Sequence, residues 1–122
     1  MQVSNSIFGI HEQALLLSGK RASLLANNIA NADTPGYLAK DLDFRAMLKA
    51  QTLKGAEGFS SADAQPMDIV KYRIPNQVAA DGNTVDVNIE KAEFANNTMR
   101  WLASYTFINQ SVKSIRSALR GD

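Results

Sequence analysis

"VNIEKAEFANNTMRWLASYTFINQSVKSIRSALRG", residues 87–121, is the most regular stretch of this 122-residue chain and decides how the rest folds. Steps of four and three, taken alternately from Val87, land on Lys91, Phe94, Thr98, Trp101, Tyr105, Ile108, Val112, Ile115 and Leu119. A row of this kind lies along one side of a helix and seeks a partner helix. The ends agree with that reading. Thr84 or Asp86 suits the N-cap, Glu90 and Glu93 sit early, Lys113, Arg116 and Arg120 sit late, and Gly121 closes the pattern. A helix over 85–120 follows.

Working back to the N-terminus, Ile7, Ile10, Ala14, Leu17 and Leu24 repeat at helical spacing, with Leu15, Ala22, Leu25 and Ile29 widening the stripe. This predicts a helix over 6–32 that stops at Thr34, because the residue before Pro35 is pushed toward extended geometry. Pro35 and Gly36 suit the two central positions of a type II turn. Asp41 to Leu53 fits a short helix capped by Asp41 or Asp43. Glycines, prolines and serines then break up 54–83, in which "DIVKYRI", residues 68–74, reads as a short strand or extended arm. The fold class expected is mainly α in a single domain over 1–122. Its two long terminal helices pair as an antiparallel, coiled-coil-like hairpin, joined through 33–83 by an irregular middle. One such pair leaves Leu15, Ala22, Met99, Leu102 and Phe107 as uncovered flanks, so lateral partners are expected.

Composition excludes several classes of function. There is no cysteine, so no disulfide, thiolate metal site or cysteine nucleophile. A net charge of +1 makes no general case for nucleic acid or an anionic membrane. No run approaches 18 apolar residues, and the N-terminus carries no basic leader with a cleavage site. His11 has no second histidine to complete a metal site. Ser-x-x-Lys, Gly-x-Ser-x-Gly and a phosphate-binding loop are all absent. The carboxylate pairs Asp41/Asp43 and Glu90/Glu93 are explained by capping and helix-dipole effects. Neither an enzyme nor a cofactor, metal, nucleic acid or membrane span is expected.

Asn27, Asn28 and Asn31 remain, three amides at the end of an apolar helix where each costs about 0.5 kcal/mol relative to alanine. C-capping accounts readily for Asn31. The alternative for the set is hydrogen bonding to the backbone of the following turn, or to a neighbouring subunit, so that register is fixed.

"LANNIANADTPGY", residues 25–37, resembles the N-terminal signature of the flagellar basal-body rod and hook proteins. The short middle and the C-terminal "DGNTVDVNIEKAEFA" and "SIRSALRG" resemble the proximal-rod members. The resemblance implies a structural rod subunit that polymerises through its terminal helices and transmits torque. Its implied partners are copies of itself, other rod proteins, MS-ring and rod-adaptor proteins, and the flagellar type III export apparatus. It implies a place in the periplasmic rod, reached without a cleaved signal peptide, and terminal regions that order on assembly. The expected assembly seam is Ile10, Leu17, Leu24, Val87, Phe94, Trp101, Tyr105, Ile108, Val112, Ile115 and Leu119. The expected register-setting turn is Asn27, Asn28, Asn31, Thr34, Pro35, Gly36 and Tyr37. Another type of proximal-rod subunit and a cytoplasmic helical adaptor or export chaperone stay open as alternatives.

Overall fold

The computed structural model describes residues 10–47 and 70–121. Its elements run α1 (Ile10–Ala30), β1 (Lys40–Leu42), β2 (Val70–Tyr72) and α2 (Val87–Arg120). The first residues expected in α1, the remainder of the 41–53 helix and most of the long connection lie outside the described residues.

Both ends of α2 form as their residues dictate. Asp86 is the N-cap, its carboxylate accepting from the N–H groups of Asn88 and Ile89, and Gly121 closes the helix at φ 78°. Thr84, the other candidate cap, instead accepts the Ala39 N–H on its hydroxyl at 2.8 Å. The turn after α1 is also as expected. Gly36 sits at φ 72° and the Tyr37 N–H donates to the Thr34 carbonyl at 3.3 Å, closing a turn with Pro35 and Gly36 at its centre.

One expectation is corrected between 40 and 47. Asp41 does not open a helix but lies in β1, which pairs antiparallel with β2 in the register Lys40↔Tyr72, Asp41↔Lys71, Leu42↔Val70. Helix begins only after Asp43, whose carboxylate accepts the Ala46 N–H at 3.1 Å. The apolar positions 42, 44, 47 and 48 suit either reading, and the pairing with the 70–72 strand decides it.

The helices run antiparallel. Asn28 meets Glu90, Ser18 meets Asn97, and the His11 and Phe107 rings stack 4.7 Å apart, so residue numbers rise on one helix as they fall on the other. The apolar core is not between them. Leu17 on α1 packs with Leu42 and Met47, joined by Leu24, Phe44 and Val70, so the core sits under the ribbon on one flank of α1. Each such buried aliphatic side chain contributes about 2 kcal/mol.

The pairing of the helices is as expected, but α2 turns a different face to α1. Its buried residues are Glu90, Asn97 and Ser104, at steps of seven, opposite Ala14, Ser18, Arg21, Leu25 and Asn28 of α1. The apolar row is rotated to the side. Small and matched polar residues let the two backbones approach, whereas the aromatic rings of the apolar row would hold them apart.

Candidate functional site

Arg21 reaches from α1 to both other layers. Its Nε and Nη2 donate to the two carboxylate oxygens of Asp41 on β1, each at 2.9 Å, and Nη2 also donates to Glu93 Oε2 on α2 at 2.7 Å. The fork-on-fork geometry makes this the strong form of an ion pair. Arg73, just past β2, donates to Asp41 Oδ2 at 2.6 Å and places its other Nη 3.3 Å from Glu90 Oε1, close enough for charge attraction but not aligned as a hydrogen bond. Two cations thus face three carboxylates. A fully buried carboxylate such as Glu90 is costly without such partners.

Asn28 completes the knot. Its Nδ2 donates to Glu90 Oε2 at 3.0 Å and to the Lys40 carbonyl at 2.7 Å, while its Oδ1 accepts from the Lys40 N–H and the Tyr37 hydroxyl. The amide is fully buried and all its capacity is used within the chain.

These neighbours tune the ionisable groups. Burial pushes the Asp41 carboxyl up, but the hydrogen bonds from Arg21 and the Leu42 N–H, with the charges of Arg21 and Arg73, hold it below the usual carboxylate range. The Arg21 guanidinium is raised further above its ordinary value, chiefly by the hydrogen bond to Asp41 and against the effect of burial. Burial, then the Glu90 charge, raises the Tyr37 phenol.

A second polar centre joins the signature turn to residues 79–85. Asn83 Nδ2 donates to the carbonyls of Asn31, Ala32 and Thr34 at 3.0, 2.9 and 2.8 Å, groups left open where α1 ends. The Gly36 N–H donates to the Asp81 carbonyl at 2.9 Å and the Thr84 N–H to that of Tyr37 at 3.0 Å. Gly36 and Gly82 both hold positive φ and lie back to back, so that a Cβ on Gly82 would stand 3.7 Å from the Gly36 α-carbon. Two turns, far apart in sequence, close on each other.

The expected turn residues are brought together. Asn28, Thr34, Gly36 and Tyr37 all bond in this region, and Asn31 donates its side chain to the Asn27 carbonyl and accepts from the Thr34 hydroxyl. The Asn27 side chain itself is exposed. The eleven seam residues differ in their surroundings. Leu17 and Leu24 belong to the core under the ribbon, Ile10 is exposed, and Val87, Ile108 and Val112 are half-buried. Phe94, Trp101, Tyr105, Ile115 and Leu119 face solvent, Trp101 being 37% exposed and stacked on Tyr105 at 5.4 Å.

Sequence reasoning missed Arg21, Arg73 and Asn83 altogether and read Asp41, Glu90 and Glu93 as caps or dipole partners. One signal was present: Arg21 occupies the 14, 18, 21, 25, 28 row of α1, and a cation on an inward row calls for a buried acid. Among the described residues no group of three or more His, Cys, Asp or Glu is placed to hold a metal ion. Nor is any described helix long and apolar enough to cross a membrane.

The helical hairpin and its amide-rich helix end agree with the resemblance to the flagellar basal-body rod proteins. The family model described as "Flagella basal body rod protein" matches residues 10–37, which cover α1 and the signature turn. Over nearly its whole length the chain belongs to the FlgB family, structural subunits of the basal-body rod. It is 41% identical to the flagellar basal body rod protein FlgB of Proteus mirabilis (strain HI4320) over 128 residues, covering 93% of each chain. To FlgB of Aeromonas hydrophila it is 39% identical, covering 94% of this chain and 93% of that one, and to FlgB of Salmonella typhimurium 36% identical, covering 90% of each.

Proposed function

We propose that this chain polymerises with copies of itself and with other rod proteins through the apolar row of α2, and that the resulting helix packing transmits torque along the rod. The observation that carries the reading is the inversion of α2. Its polar row is consumed inside the hairpin, and Phe94, Trp101, Tyr105, Ile115 and Leu119 are left outward. Apolar surface of that extent along one helix is favourable only when another helix covers it.

In this reading Asn28, Asn31, Thr34, Pro35, Gly36 and Tyr37 fix how the hairpin is presented, and the protein is not an enzyme. At the base of the rod its partners are MS-ring and rod-adaptor proteins, after passage through the type III export apparatus into the periplasm. Trp101→Ala tests the surface, because the ring is outward and its loss leaves Arg21, Asn28 and Asn83 in place. The variant is expected to be made and exported but to abolish swimming and to be lost from purified basal bodies. Normal motility would overturn the assignment of the row, and a wild-type chain confined to the cytosol would favour an adaptor.

A further inference from the structure

We infer that Asn97 is the specificity determinant of the hairpin, the residue that makes α2 pair with its own α1 on one face and in one register. Asn97 sits at the centre of the inward row of α2, 1% exposed, seven residues from Glu90 on one side and from Ser104 on the other. Its Nδ2 donates to the Ser18 carbonyl at 2.8 Å, at a position of α1 whose own side chain is small. A shift of α2 by one heptad sets the amide against His11 or Leu25, whose side chains are larger than that of Ser18, and a roll onto the apolar row gives up the bond.

A second observation points the same way. Asn97 Oδ1 and Ser18 Oγ are both buried without a hydrogen-bond partner, on the same pair of residues. A seam selected for stability alone would carry leucine and alanine here, since unpaired buried polar atoms are destabilising. A single buried asparagine in a heptad row is the known device by which paired helices trade stability for a unique register and partner. The need for one is plain in this chain. The outward row of α2 is itself a heptad pattern able to pair with α1 or with a second α2, and Glu90 and Glu93 anchor only the first turns of the helix.

The test is Asn97→Leu, with Asn97→Ala as a second variant that adds no bulk. Each is compared with the wild type by thermal melting, by size exclusion with light scattering, and by crosslinking in a background carrying His11→Cys and Phe107→Cys. The chain has no native cysteine, so the engineered pair reports alone. In the wild-type sequence the crosslink is expected to form within one chain. In Asn97→Leu the melting temperature is expected to be no lower than wild type, while the intrachain crosslink falls at least twofold and crosslinked oligomers appear. Asn97→Ala is expected to lose selectivity in the same way. Either variant keeping the wild-type crosslink yield and size distribution would overturn the inference, as would a lower melting temperature with no new species, or a wild-type chain without the 11–107 crosslink. The inference concerns one chain's own fold. Its failure would leave the motility of Trp101→Ala unaffected, and the reverse also holds.

Discussion

Asn83 offers two N–H bonds to three carbonyls and shows how much of this architecture rests on single polar side chains. Replacing it with alanine leaves those carbonyls open at the end of α1 and frees the turn pair. Asn83→Ala should lower stability by about 1–3 kcal/mol, read as a drop in melting temperature. Asn83→Asp, which keeps the shape and loses the donors, should do at least as much damage. At this scale the sequence was partly legible. That Asn28, Asn31, Gly36 and Tyr37 bond around one turn could be expected from amides before a Thr-Pro-Gly-Tyr run. Asn83 could not, because its acceptors lie 49 to 52 residues away and an Asp-Gly-Asn stretch looks the same whether it caps a distant helix or merely turns.

At the scale of elements, helices were easier to read than strands. Caps and periodicity are local, so α2 begins at Val87 and ends at Arg120 close to where its residues say. Three-residue strands have too short a pattern to announce themselves, and β1 exists because residues 70–72 pair with it. Which face of α2 turns inward was also not legible. Periodicity reports that a helix has an apolar side but not that its polar side has a better partner. The same asymmetry sets local stability along α2. Residues 90–104 hold the buried positions of the inward row, whereas 113–120 are exposed throughout. Hydrogen exchange on the isolated chain should therefore find the amides of 113–120 opening well before those of 90–104. Uniform protection along the helix would contradict this gradient.

For the whole molecule, the charged knot sets the response to pH. Asp41 has a folded value below its unfolded one of about 3.9, so its contribution is present above that pH and lost as pH falls through the lower folded value. Tyr37 is raised, so its contribution is full below about pH 10 and lost as pH climbs through the folded value. Arg21 is raised from an already high value and stays charged across this range. Melting temperature against pH should accordingly show a plateau that falls below about pH 4 and above about pH 10, and Asp41→Asn should flatten the acid limb while lowering the plateau. The knot has one more effect. By bonding both the N–H and the carbonyl of Lys40, the Asn28 amide stands where another strand would otherwise lie. The outer edge of β1 is thereby closed to strand addition, and the ribbon cannot grow into a larger sheet from that side.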